Sequence, residues 1–146
     1  MKPSELVKAQ IKAFEGCSLT AYMCPAGVLT IGYGHTGSDV TSGQNITQSE
    51  ADALFETDLD RFCRGINSAI GTSNLRQCQY DAVVSLAYNI GVGNFMKSTL
   101  LKKIKSNPDN PSIRDEFRKW RYAGGKELPG LVRRREWEAR RYFGEV

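Results

Sequence analysis

The chain has 146 residues, with 20 Lys+Arg against 16 Asp+Glu, a formal net charge of +4 and a sequence pI near 8.9. That length suits a single domain, and 40% hydrophobic with 25% charged residues is a globular composition with enough apolar mass for a core. One histidine excludes HExxH zinc enzymes and His-rich metal sites, and four cysteines without a CxxC pair (Cys17, Cys24, Cys63, Cys78) exclude a zinc ribbon or a thioredoxin motif.

The N-terminal residues contain no apolar run of the signal-peptide kind, and nowhere do ~18 apolar residues follow one another, so neither an export signal nor a membrane span is expected. A first helix is predicted over 4–15, with Ser4 as its cap, Leu6, Val7, Ile11 and Phe14 at helical spacing, and Gly16 to end it. Residues 18–43 are rich in Gly, Thr and β-branched side chains. There Leu29-Thr30-Ile31-Gly32-Tyr33 reads as a strand after a Pro25-Ala26-Gly27 turn, a small β-hairpin lobe inserted behind the first helix. Thr47-Gln48-Ser49-Glu50 is a capping box. The helix it opens carries Ala51, Leu54, Phe55, Phe62, Ile66 and Ile70 as an apolar stripe, and Gly71-Thr72-Ser73-Asn74 breaks it.

Four further helices are predicted. Residues 75–90 bury Val83, Leu86, Ala87 and Ile90 and stop at Gly91-Val92-Gly93. Residues 95–104 end before Asn107-Pro108, and residues 112–122, with Ile113, Phe117 and Trp120, end at Gly124-Gly125. The last helix runs over 129–143. The expected fold class is α+β, mostly α: one domain, 1–146, with a β lobe at about 17–46 and a helical lobe at about 1–16 plus 47–146.

Charge is unevenly placed. Residues 1–110 hold ten basic and ten acidic side chains, whereas residues 111–146 hold ten and six. The excess lies around Arg114, Arg118, Lys119, Arg121 and Arg133-Arg134-Arg135. It is either an electropositive face for a polyanion or a solvated helix face paired at i,i+4 with Glu136 and Glu138. No nucleic-acid reader motif accompanies it.

Two places carry chemistry. Glu15 falls at the C-terminal end of the first helix, where the dipole disfavours a carboxylate. In a cleft, such a glutamate is held protonated and suits a general acid; otherwise it is a frayed surface residue. In Thr30-Ile31-Gly32-Tyr33-Gly34-His35-Thr36, glycines alternate with bulky residues and let the strand backbone approach another segment closely, and the Thr30 hydroxyl can hold a water.

Glu15-Gly16, Tyr22 and the run from Gly27 to Thr36 resemble the phage-type lysozymes, the endolysin muramidases of glycoside hydrolase family 24. The run from Gln79 to Gly91 resembles that family's central helix. Phe95 with Ser98-Thr99-Leu100-Leu101, Trp120-Arg121-Tyr122-Ala123-Gly124-Gly125, and Leu131-Val132-Arg133-Arg134-Arg135-Glu136 resemble its later segments, so the likeness covers nearly the whole chain in order. It implies a lysozyme-like fold and a peptidoglycan hydrolase that cleaves the β-1,4 bond between N-acetylmuramic acid and N-acetylglucosamine. It implies no cofactor, no metal, no nucleic-acid partner and no membrane insertion. The expected protein is a monomer, cytoplasmic until a holin or cell breakage releases it to the wall.

The resemblance gives Glu15 the role of general acid and Thr30 that of positioning the attacking water. The family's third catalytic member is an aspartate nine residues after the glutamate, and here that position is Cys24. An ordinary thiol, of pKa ~8.5, is mostly neutral at pH 7, so Cys24 is either a stabilised thiolate or a spacer. Three outcomes stay open: general-base or electrostatic help, covalent attack by sulfur on the anomeric carbon, or loss of activity, which leaves a catalytically weak or inactive glycan-binding protein. The resemblance makes His35 structural, tying sheet to helices, and implies that one of Arg133, Arg134 and Arg135 pairs with Glu15. The cysteines are expected as free thiols, although Cys17 and Cys24 are close enough in sequence for an oxidised pair to be conceivable.

Overall fold

The computed structural model describes residues 1–146 as a mostly helical α+β fold of seven helices and two small antiparallel sheets. Contacts divide the chain into two compact units, residues 8–61 and residues 1–7 with 62–146.

The first unit holds most of α1 (Glu5–Glu15), a three-stranded sheet and the first part of α2 (Gln48–Ile70). Ser4 caps α1 by accepting the Val7 amide at 3.2 Å, and Gly16, at φ +68°, ends it. Val7 and Ile11 are fully buried, but Leu6 is 51% exposed, because one residue of offset rotates it ~100° from the stripe. The sheet runs β1 (Ser18–Met23), β2 (Leu29–Gly32), β3 (His35–Thr36) in that order, with Tyr22 opposite Thr30 and Ile31 opposite His35. The capping box is formed: the Glu50 amide donates to Thr47 Oγ1 at 3.1 Å, and the Thr47 amide donates to Glu50 Oε1 at 3.2 Å. Of the expected α2 stripe, Ala51 and Phe55 are buried in this unit, joined by Leu59 and, unexpectedly for a carboxylate, Asp58.

The second unit is built around α3 (Gln77–Ile90), whose residues 79–88 are all buried. A helix buried on all sides lies inside a bundle rather than on its surface. Its main partner is α7 (Pro129–Tyr142). Asp81, in the middle of α3 and fully buried, accepts from the Ser4 amide at 3.0 Å, the Ser4 hydroxyl at 2.5 Å, Gln77 at 2.8 Å and Arg141 Nη2 at 2.7 Å. Four donors, one of them cationic, satisfy a charge that burial alone would make very costly.

Two expectations need correction. The single helix expected over 95–104 is two, α4 (Val92–Met96) and α5 (Thr99–Ser106). Ser98 separates them: its hydroxyl donates to Phe95 O at 2.6 Å and accepts the Leu101 amide at 3.1 Å, closing one helix and capping the next. The helix expected over 112–122 is shorter, α6 (Ile113–Arg118), and is followed by a hairpin of β4 (Tyr122–Ala123) and β5 (Lys126–Glu127). Gly124 and Gly125 form its two-residue loop, both at positive φ (58° and 79°), instead of merely stopping a helix.

The basic C-terminal quarter is largely paired with acids. Arg114 meets Glu145, Arg118 meets Glu136 at 2.7 Å, Lys119 meets Glu116 at 2.8 Å and Arg121 meets Glu127 at 3.0 Å. Several of these partners lie far along the chain, so the pairing is tertiary and not the i,i+4 pattern alone.

Candidate active site

Glu15, Cys24 and Thr30 all fall within residues 8–61. Glu15 is the last residue of α1 and is half-buried. Gly34 comes up directly against it: a Cβ at Gly34 would stand 2.8 Å from Glu15 Oε1. Gly34 also has φ +80°, so this turn requires glycine for its backbone and for the carboxylate that occupies the space a methyl would take.

Cys24 follows β1, in the turn to β2. Its amide donates to Val28 O at 3.0 Å and its carbonyl accepts the Gly27 amide at 2.8 Å. The same turn bears on the sulfur. The Val28 amide, chiefly, then the Ala26 amide and the Thr30 hydroxyl, hold the thiol below the ordinary thiol range against a smaller opposing effect of desolvation. Thr30 is 3% exposed, and its hydroxyl also lies 2.9 Å from Val28 O. The water-holding hydroxyl expected from the sequence is thus a buried group already engaged with the Cys24 turn.

Tyr22 stands opposite Thr30 on β1 and is 42% exposed. Its phenol is pushed above its ordinary range first by partial burial, then by the negative charges of Glu15 and Cys24. One ring therefore feels both catalytic candidates. In the sequence Tyr22 stands out only within the resemblance to the phage-type lysozymes; the pairing of β1 with β2 is what puts it here.

His35 is held from both sides. Nδ1 lies 2.8 Å from Asp58 Oδ2 and Nε2 lies 2.9 Å from Asp39 Oδ2. Burial alone would lower its pKa, but the hydrogen bonds to Asp58 and Asp39 outweigh that and raise it. Asp58 also takes Arg61 at 3.2 Å. With both ring nitrogens engaged, His35 ties β3 to α2 and is not a free base.

In the other unit, Arg134 and Arg135 are buried and converge on Glu138, at 3.3 Å and 2.7 Å. The Ser85 hydroxyl donates to the same carboxylate at 2.5 Å. Arg133 alone of the three is exposed. The cysteines are free thiols. Cys17 and Cys24 flank the six residues of β1, which at ~3.3 Å per residue hold them roughly 20 Å apart, well beyond the ~7 Å that a disulfide spans.

A family model described as phage lysozyme matches residues 12–138. An endolysin of Acyrthosiphon pisum secondary endosymbiont phage 1 is 43% identical over 142 residues, 94% of this chain and 95% of that protein. A SAR-endolysin of Bacteriophage PS119 is 43% identical over 124 residues, 85% of this chain and 73% of that protein. Among solved structures, an endolysin from Escherichia coli O157:H7 phage FAHEc1 matches with a TM-score of 0.86 at 33% identity, covering 100% of this chain and 96% of that one.

Proposed function

Since this chain belongs to the phage lysozyme family, and is thereby a cell-wall-lytic glycoside hydrolase, we propose that it cleaves the β-1,4 bond between N-acetylmuramic acid and N-acetylglucosamine with Glu15, Cys24 and Thr30. Glu15 is the general acid that protonates the glycosidic oxygen as positive charge builds on the sugar ring. Cys24, as a thiolate, stabilises that charge and draws the proton from an attacking water, the part a second carboxylate plays in other glycosidases. Thr30, whose hydroxyl proton goes to Val28 O at 2.9 Å, orients the water through its lone pairs.

The observation that carries this reading is the lowered pKa of Cys24 in its turn. The Cys24 thiol, in the unit that also holds Glu15, has its pKa lowered, chiefly by the Val28 amide, with smaller help from the Ala26 amide and the Thr30 hydroxyl. A spacer needs no lowered pKa, whereas a working thiolate does. No helix is long and apolar enough to cross a membrane. The enzyme reaches its substrate through a holin-type pore or on cell breakage.

The test is loss of turbidity of outer-membrane-permeabilised cells. Glu15→Gln and Cys24→Ala are expected to abolish lysis, and Cys24→Asp to retain it. Lysis by Glu15→Gln at the wild-type rate removes Glu15 from the mechanism; lysis by Cys24→Ala at that rate returns Cys24 to a spacer. The anomer released first reports whether water or sulfur attacks: an inverted product supports the base role, and a retained one transfers attack to the sulfur.

A further inference from the structure

Tyr33 sits in the turn between β2 and β3, between Gly32 and the Gly34 that abuts Glu15, and it is clamped by groups that the reaction does not use. Its hydroxyl accepts Gln48 Nε2 at 3.0 Å. Its ring meets the buried Phe55 edge-on, with centroids 5.6 Å apart and planes at 68°. Lys12 Nζ lies 5.1 Å from the centroids of both rings. The clamp closes on itself, because Asp52 Oδ1 accepts from both Gln48 (3.1 Å) and Lys12 (3.3 Å).

Lys12 lies one helical turn before Glu15 on α1, so the helix that ends in the acid is fastened to the same ring that precedes Gly34. Gly34 itself has no side chain with which to hold a position, and Gly32 and Gly34 on either side of Tyr33 (φ +65° and +80°) make the backbone intrinsically permissive. A close approach of 2.8 Å between a would-be Cβ and a carboxylate oxygen needs a registering element, and Tyr33 is the one side chain within this glycine-flanked turn.

We propose that Tyr33 is a positioning residue for the hydrolysis, anchoring the turn so that Gly34 fixes where the Glu15 carboxylate points. This rests on the reading of Glu15 as the general acid. Positioning acts on the chemical step and not on glycan binding, so its loss falls on kcat with KM little changed.

The experiment compares Tyr33→Ala, Tyr33→Phe, Lys12→Gln, Glu15→Gln and the double variant Tyr33→Ala/Glu15→Gln in steady-state hydrolysis of a soluble peptidoglycan oligosaccharide, with circular dichroism and thermal melting on each. Tyr33→Ala is expected to lower kcat about 10–100-fold, as for a reacting group displaced by about 1 Å, with KM within about twofold. Tyr33→Phe keeps the ring and loses the Gln48 bond, so it recovers most of that loss. Lys12→Gln, which removes the cation from both rings, gives a smaller kcat loss in the same direction. The double variant is no slower than Glu15→Gln alone, because there is no acid left to position.

Folded Tyr33→Ala with wild-type kcat overturns the proposal, as does a rise in KM at constant kcat. If Tyr33→Ala does not fold, the Lys12→Gln split decides in the same way. A wild-type rate for Glu15→Gln overturns the reading of Glu15 instead, whatever Tyr33 does, so the two failures are told apart.

Discussion

Gly34→Ala separates two costs that usually come together. The added methyl meets Glu15 Oε1 at 2.8 Å, and the backbone must hold φ +80°. The second cost is conformational: an L-residue with a Cβ in the left-handed region loses about 1–2 kcal/mol. For a chain of this size that lowers Tm by about 3–6 °C. The first cost is small in stability, because the atom that must yield is the end of a flexible side chain. It is large in function, since the carboxylate moves by several tenths of an ångström and kcat falls about 10–100-fold. Gly43→Ala is the control: its φ is +78° and nothing lies within 4 Å of its added Cβ, so it loses similar Tm and keeps wild-type kcat. The assays are thermal melting and lysis kinetics on purified variants. Equal kcat for the two variants would refute the argument that the Gly34 backbone sets the Glu15 carboxylate.

Three other expectations follow from particular contacts. His35 has a raised pKa, so its pairing with Asp58 and Asp39 contributes fully below the unfolded value of about 6.5 and is lost as pH rises through the folded value. The stability gap between wild type and His35→Asn, from urea unfolding, should therefore be wide at pH 5.5 and narrow at pH 9. Glu138→Gln leaves the buried Arg134 and Arg135 without their carboxylate; about 3–5 kcal/mol of stability should be lost in the same measurement, and a loss under about 1 kcal/mol would mean that the other acceptors, the Ser85 carbonyl at 2.9 Å from Arg134 and Asn89 Oδ1 at 3.0 Å from Arg135, suffice. Iodoacetamide should alkylate Cys24 with a pH midpoint below that of an unperturbed thiol, since the thiolate is the reactive form and its pKa is lowered; peptide mass mapping distinguishes it from the exposed Cys17.

Local chemistry made much of the fold legible. The Ser4 cap and the Thr47–Glu50 box depend on residues within one turn of each other, and both are formed. The same kind of signal was present at Ser98, where an apolar period running through both short helices masked it. Tyr122-Ala123-Gly124-Gly125-Lys126-Glu127 carried a two-residue hairpin signal that was read as a helix stop, because Trp120 and the residues before it have helical spacing. What stayed hidden depends on distance through space. Arg118 finds Glu136 and Arg114 finds Glu145 across the chain, so most acids of the basic C-terminal quarter are paired within the fold while its excess of four positive charges remains. At the site, the helix end suggests Glu15 and the glycine-rich strand Thr30, and the resemblance to the phage-type lysozymes adds Cys24. The sequence could not reveal the lowered pKa of the Cys24 thiol, the contact of Gly34 with Glu15, or the ring of Tyr33 between Lys12, Gln48 and Phe55.

Thr30 has one proton to give; the Val28 carbonyl accepts it at 2.9 Å, and the same hydroxyl is among the groups that lower the pKa of the Cys24 thiol. Since the hydroxyl is bonded to the carbonyl at 2.9 Å, it would have to give up that bond to donate to an ionised sulfur. Ionisation at Cys24 would then be felt in the bonding of a neighbouring peptide group. The amide carbonyl stretch of Val28, labelled with carbon-13, should shift as the thiol titrates, giving a spectroscopic reading of the sulfur's charge in the absence of any substrate.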